Sequence, residues 1–554
     1  MKKQVVQILF KALQKINANL KEDEIGNLIE VPPKQEMGDF AFPCFPLVKQ
    51  LKINPHEVAL KIREKIGNTP KGFSDVRTQG PYVNFFLDRK VLALDLINEI
   101  KTQGDNYGKS DFGKGKTVLI EHTSINPNAS PHVGRARNAI IGDSLVRILR
   151  FVGFVPEVHY FVNDVSKQIA MLVLAKAEKM KFENMLKEYV KIAAKVKKSK
   201  EIEAEVFDLL YKFEHSDPEV SKKFNKITKT CVEGQRKILS ELGIEYDIFD
   251  YESTYLEQTK KVLVSLQKTG KLFKDEDGRM VLDLKGTSIE GQMKSPVLVL
   301  TRSDGTGLYP LRDIAYTLDK MQKSEFNILI LGEDQKLYFN QITEALKLLK
   351  YPVPQVVHYS FILLSKKGKS RKMSTRRGEV VLLEDFLKAA IKKAAKRSKK
   401  KSAAQKIGIG AVKYSIIKNN PNKTINFNLD GMLNFEGDTG PYLLYSYARA
   451  NSIMKRSLHT GDKIKINKLE EKEIELILKM DEFPLIVEKS YLSLNPSLIA
   501  KYSYELAKLF NEFYHSHRIL GSNKENFRIV LVHCFMIVLK NSLTLLGINI
   551  ADKI

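Results

Sequence analysis

The chain has 554 residues, room for roughly three or four domains, and 43% of them are hydrophobic, an ordinary share for a globular protein. Its formal net charge of +25 points to a polyanionic partner. The three cysteines, Cys44, Cys231 and Cys534, lie too far apart for metal-ligand spacing, and no apolar run reads as a membrane span, so structural zinc and a membrane location are set aside in favour of a reducing cytosol.

Residues 1–108 read as a separate N-terminal α/β domain. Val5 to Leu13 carries apolar residues at helical spacing and forms an amphipathic helix, not a signal sequence. Asp39–Pro43 and Tyr82–Leu87 read as strands. Asn54 followed by Pro55 is a helix start, with an amide cap and a proline at the first helical position. A polar joint, Asp105–Ser110, ends this domain.

Gly113-Lys114-Gly115-Lys116-Thr117 imitates the end of a phosphate-binding loop. The first glycine of that pattern falls at Ser110, and a strand follows where the mechanism needs a helix. The strand Thr117–His122 then leads through Ser130-Pro131-His132-Val133-Gly134-Arg135 to a helical stretch, Ala139–Arg147. A strand, a turn with a small residue and a helix start is where an α/β sheet holds phosphates. Val155–Phe161 and Phe326–Gly332 are further strands, and Asn340–Leu349 is a helix. This alternation predicts a doubly wound, Rossmann-like domain over 109–400. A charged helical insertion interrupts it at about 165–242. From 401 to 554 the apolar spacing is helical and predicts an all-α bundle.

About 240 residues beyond His132 stands a cationic segment, Lys372-Met373-Ser374-Thr375-Arg376-Arg377-Gly378. His132 sits where an imidazole can meet charge on an α-phosphate, Gly134 leaves room for an adenosine, and Arg135 adds a fixed positive charge. In this order and separation the two segments resemble the two nucleotide signatures, the HIGH and KMSKS motifs, of a class I aminoacyl-tRNA synthetase.

The resemblance is closest to arginyl-tRNA synthetases of archaeal type and covers the whole chain. It rests on Glu121–Asn138, Tyr309-Pro310-Leu311-Arg312-Asp313, Lys372–Gly378, Phe435–Tyr442 with Tyr445–Arg449, and Gly80–Phe85. It implies ATP, L-arginine and tRNA(Arg) as substrates, Mg²⁺ bound through the phosphates, and a cytoplasmic monomer. Carried over residue by residue, it implies ATP binding by Ser130, Pro131, His132, Gly134, Arg135, Lys372, Met373 and Ser374. His132, Arg135 and Lys372 are the catalytic residues so implied. Glu121, Asn126, Tyr309, Asp313 and Gln335 would bind arginine.

Two departures stand out. Arg135 replaces the second histidine of the usual class I pattern, and Thr375 replaces the second lysine of Lys-Met-Ser-Lys-Ser, with Arg376 as a substitute. A carboxylate accepts two parallel hydrogen bonds from a guanidinium, and an aromatic face stacks on it. Asp313, Glu121 and Tyr309 are of those types. A synthetase for glutamate would need cations where Glu121 and Asp313 stand, and a non-catalytic RNA-binding descendant would be expected to lose His132, Gly134 or Lys372. Tyr442, Tyr445, Tyr447 and Arg449 are the candidates for stacking on unpaired bases.

Overall fold

In the computed structural model, residues 2–366, 369–372, 381–398, 400–427, 429–457, 466 and 468–551 are described. The chain divides into two units. One contains Met1–Gly104, Ser457–Asp481 and Glu512–Cys534; the other contains Asp105–Arg456, Glu482–Asn511 and Phe535–Ile554.

In the first unit, strands β1 (Phe40–Pro43), β2 (Phe73–Gln79) and β3 (Tyr82–Leu87) form an antiparallel sheet in the order β1-β3-β2. The helix Pro55–Ile66 begins as its sequence predicts: the Asn54 side chain accepts from the Glu57 N–H at 2.8 Å. Helix Lys2–Gln14 buries Val5, Leu9 and Leu13 in a core with Phe42, Val58, Ile62 and Phe85. β2 lacks the two-residue alternation of a half-buried strand, its buried Phe73 and Val76 standing three apart. The helix Arg89–Gln103, by contrast, carries an Asp88 cap and buries Leu92, Leu96 and Ile100 at helical spacing, a signal that was present in the sequence and passed over.

The second unit is built on a parallel sheet of β4 (Thr117–Thr123), β5 (Val155–Val162), β6 (Ile248–Tyr251), and two later strands. Between come three short antiparallel strands, β7 (Leu272–Lys274), β8 (Met280–Asp283) and β9 (Val297–Val299), too brief to show a period. β10 (Phe326–Gly332) and β11 (Gln355–Tyr359) complete the main sheet in the order β11-β10-β4-β5-β6. The strand order reverses between β4 and β10. A crevice at the carboxyl ends of strands at such a switch point is where doubly wound sheets bind ligands.

The helix Val133–Phe151 follows β4 and lies directly on it. A Cβ at Gly142 would stand 2.1 Å from the Cβ of His122, so only glycine allows this approach. Four helices, from Lys167 to Ser240, separate β5 from β6 and enclose their own core, including Leu172, Met185, Val206, Phe213 and Phe224.

Past β11 the chain forms β12 (Ile362–Lys366) and β13 (Lys369–Lys372), an antiparallel pair. β14 (Ile425–Phe427) joins β12 in parallel. The C-terminal region is helical, as expected, apart from this three-residue strand between helix Lys401–Ile417 and helix Gly440–Arg456. Helix Glu525–Leu545 is, by length and composition alone, apolar enough to cross a bilayer, which the sequence reading did not recognise. Its most apolar window is 78% buried inside the fold, as in the core helix of a globular protein.

Candidate active site

The first signature is a loop and a helix start held from several sides. The Gln235 side-chain amide, from the insertion, donates to the carbonyls of Asn126 (3.0 Å) and Ala129 (2.8 Å), and Tyr160 donates its hydroxyl to Gln235 at 2.7 Å. Ser130 is buried and donates to Glu384 at 3.1 Å. The Leu383 N–H donates to the Pro131 carbonyl and the Val133 N–H to that of Val381. Residues that follow the second signature are thus stitched to the first.

His132 caps the helix Val133–Phe151. Its Nδ1 accepts from the Arg135 backbone N–H at 3.2 Å. Burial, then the Arg135 charge, lowers its pKa to about 4. A neutral imidazole that accepts at Nδ1 carries its proton on Nε2. His132 therefore offers a neutral N–H donor at this helix N-terminus, where the backbone already favours anions. Gly134 occupies the first turn, and Arg135 is exposed, with its positive charge acting on the buried Tyr359 hydroxyl.

Lys372 is the last residue of β13 and pairs with Leu363 through the strand register. Met373, Ser374 and the rest of the second signature through Gly378 lie outside the described residues.

Helix Tyr309–Lys323 supplies the other wall. Tyr309, Asp313, Tyr316 and Lys320 recur at helical spacing and form one face. Tyr309 is 54% exposed, and its ring lies 5.1 Å from that of Tyr338. Asp313 is half-buried and accepts from the Tyr338 hydroxyl. Burial pushes its pKa up to about 6; the Tyr338 bond opposes the shift and the nearby Glu121 charge adds to it. Glu121 is buried in β4 and bonded by Lys320. The Lys320 ammonium also stands 3.9 Å from the centre of the Tyr316 ring.

Behind this face, Tyr316 donates to Asp250 at 2.9 Å, and Asp250 and Glu157 flank His159 at 2.5 and 2.7 Å. Arg312, one residue before Asp313, bonds Glu252 at 2.6 Å and has Glu214 at 3.6 Å. Gln335 follows β10 and accepts from the Gly332 N–H at 3.4 Å.

The fold thus gathers Tyr309, Asp313 and Glu121 at the carboxyl edge of the sheet, with Asp313 and Glu121 close enough to repel. Tyr338, Lys320 and Glu252 belong to the same wall and were missed. Tyr338 alone carried a local signal, standing three residues after Gln335 on the same helical turn. No group of three or more metal-ligating side chains occurs among the described residues.

Three family models match the chain. The catalytic-domain model for class I tRNA synthetases (R) covers residues 96–429, the arginyl tRNA synthetase N-terminal domain covers 3–87, and the DALR anticodon binding domain covers 443–554. The fold and the signatures therefore define a class I aminoacyl-tRNA synthetase. Among curated relatives, the arginine–tRNA ligase of Methanocaldococcus jannaschii is 38% identical over 95% of both chains. That of Clostridium kluyveri is 34% identical over 97% of this chain and 98% of its own. The chain belongs to the arginyl-tRNA synthetase family. The Thermus thermophilus arginyl-tRNA synthetase has the same fold, with a TM-score of 0.79 at 24% identity and full coverage of both chains. The Plasmodium falciparum structure of that name gives 0.77 at 20%, over 100% of this chain and 99% of that one.

Proposed function

We propose that this chain is an arginine–tRNA ligase. It activates L-arginine with ATP to arginyl-adenylate and pyrophosphate, then transfers the arginyl group to the 3′ end of tRNA(Arg). The observation that carries this reading is Asp313, a half-buried carboxylate flanked by Tyr309 and Tyr338 at the switch point of a sheet in a strongly basic chain. A carboxylate kept beside aromatic faces fits a planar guanidinium.

In activation, a carboxylate oxygen of arginine attacks the α-phosphorus while the bond to pyrophosphate breaks. His132 donates from Nε2 to a phosphate oxygen, and Arg135 and Lys372 supply fixed positive charge to the phosphates. Ser130, Pro131 and Gly134 line the adenosine, while Met373 and Ser374 are assigned to ATP by their signature alone. Asn126 and Gln335 take the amino and carboxylate ends of the amino acid. Glu121, neutralised by Lys320, forms the floor of the guanidinium pocket. Mg²⁺ would be brought on the phosphates of ATP and would offset part of their charge, since no cluster of metal-ligating side chains stands among the described residues.

Residues 1–108 and 401–554 serve tRNA binding. In the C-terminal region Tyr445 is 40% exposed and Arg449 stacks on its ring at 4.7 Å, a surface suited to an unpaired base. Tyr447 is buried and serves packing, and Tyr442 lies against Tyr504. The enzyme acts as a monomer, as the family resemblance implies, and in the cytoplasm, a reducing compartment in keeping with three buried cysteines free of disulfides. Charging of total tRNA with each labelled amino acid tests the reading: only arginine should appear on tRNA, and charging with another amino acid, or with none, refutes it.

A further inference from the structure

Arg137 is 0% exposed, one of the largest side chains wholly sealed inside the protein, and no ion-pair partner is seen for it among the described residues. It sits five residues after His132 on the same helix. The two terminal nitrogens of its guanidinium are spent on backbone carbonyls, while Nε is buried with no partner seen among the described residues. Nη1 donates to Ser360 at 2.5 Å and to Phe361 at 3.5 Å; Nη2 donates to Asn420 at 3.3 Å and to Lys423 at 2.8 Å.

These carbonyls come from two segments that are also fastened to each other. The Ser360 N–H donates to the Pro421 carbonyl at 2.9 Å, the Ser360 and Thr424 hydroxyls share a hydrogen bond at 2.8 Å, and the Ile425 N–H donates to Phe361 at 3.0 Å. One segment runs directly into β12, the other into β14. β12 is paired on one side with β14 and on the other with β13, which ends at Lys372. Among the described residues, Arg137 thus ties the helix that presents His132 and Arg135 to the root of the hairpin that ends at Lys372.

We infer that Arg137 is a positioning residue that sets the spacing between the two phosphate-binding signatures. It satisfies carbonyls left over where β11 ends and the hairpin begins, and a buried carbonyl without a donor is costly. The work needs a fork. A guanidinium reaches two segments with fixed geometry, whereas an ammonium of similar charge reaches one point. The inference rests on the proposed ligase reading and adds to it a residue that touches neither substrate.

The test is steady-state ATP–pyrophosphate exchange by the full chain, in the presence of tRNA, with Arg137→Lys and Arg137→Ala. The spacing role predicts a fall in kcat/KM for ATP of roughly 10–100-fold, with the KM for pyrophosphate raised. The KM for arginine should stay within about twofold, since the guanidinium wall hangs on a different helix. Added methylguanidinium should restore part of the lost exchange in Arg137→Ala. Equal changes in the ATP and arginine constants, or lower thermal stability with unchanged constants, would overturn the inference and leave Arg137 a packing residue. If neither Arg137 variant folds, Thr424→Val decides: it cuts the hydroxyl link between the same segments, and an unchanged ATP constant there also overturns the proposal. Absence of arginine-dependent exchange in the unsubstituted chain is a separate result, which fails the ligase reading itself.

Discussion

Lys320 reaches from the helix that carries Asp313 and bonds Glu121 on β4, 199 residues earlier in the chain, with the two side chains only 2% and 8% exposed. The pair accounts for a carboxylate deep in the sheet. A buried charge is tolerated when it is paired or when hydrogen bonds satisfy it, and an acceptor-only carboxylate among apolar strands needs a cation. Removing one partner strands the other, at a cost of about 3–5 kcal/mol. Lys320→Met should therefore destabilise the protein by about that amount, and Lys320→Met combined with Glu121→Gln should recover most of the loss. Denaturant melts of the three variants check this; additive losses would contradict the pairing.

Asp313 is expected to set an acid limit on arginine use. Its carboxyl has a pKa raised to about 6, chiefly by burial. The raised value means that ionisation is disfavoured in the folded state. Stability from this group is fully present below the ordinary carboxylate range and is lost as pH rises towards 6. The ionised form is the one that takes a guanidinium. The kcat/KM for arginine should thus fall about tenfold per pH unit below that value. Tyr338→Phe removes the hydrogen bond that opposes the shift, so the acid limb should move to higher pH. A limb that does not move would show that another group limits the reaction.

Asp313→Asn should raise the arginine KM by roughly 10²–10³-fold, the usual penalty for one lost member of a desolvated charge pair. ATP binding should change little. Isothermal titration with arginine and with a non-hydrolysable ATP analogue separates the two effects.

His132 is predicted to act uncharged. Its pKa of about 4 leaves it neutral across the working range, so activation should show no titration of this residue between pH 5 and 8. His132→Ala should lower the rate of adenylate formation by about 10²–10³-fold, the cost typical of one lost donor to developing charge, while tRNA affinity holds. Single-turnover adenylate formation and tRNA filter binding are the measurements. A fully active variant would remove His132 from the mechanism.

Gly142→Ala should be a severe packing variant. The added methyl would fall 2.1–2.7 Å from His122 atoms, and the helix could only leave the strand to accommodate it. Overpacking of this kind costs about 1–3 kcal/mol or more. A melting temperature equal to that of the parent chain would contradict the close approach.

Local chemistry made much of this molecule legible. The Asn54–Pro55 helix start and the β4–loop–helix signature depend on neighbours in sequence, and both stand where the residues placed them. Between β5 and β6, in the stretch whose charged helical pattern predicts an insertion, four helices run from Lys167 to Ser240. Pairings over long separations were not legible. β14 is three residues long and gains its identity only from β12, more than 60 positions away. Lys320 looks like any lysine in a charged helix until Glu121 is set beside it. Arg137 answers backbone carbonyls, which have no sequence signal at all.

The central claim is that the wall around Asp313 selects arginine for activation beside the two signatures. ATP–pyrophosphate exchange with each amino acid in turn, with and without tRNA, measures it directly. The account predicts exchange with arginine and with no other amino acid. Exchange driven by lysine or glutamate, or no exchange under any condition by a chain that still binds tRNA, would contradict it.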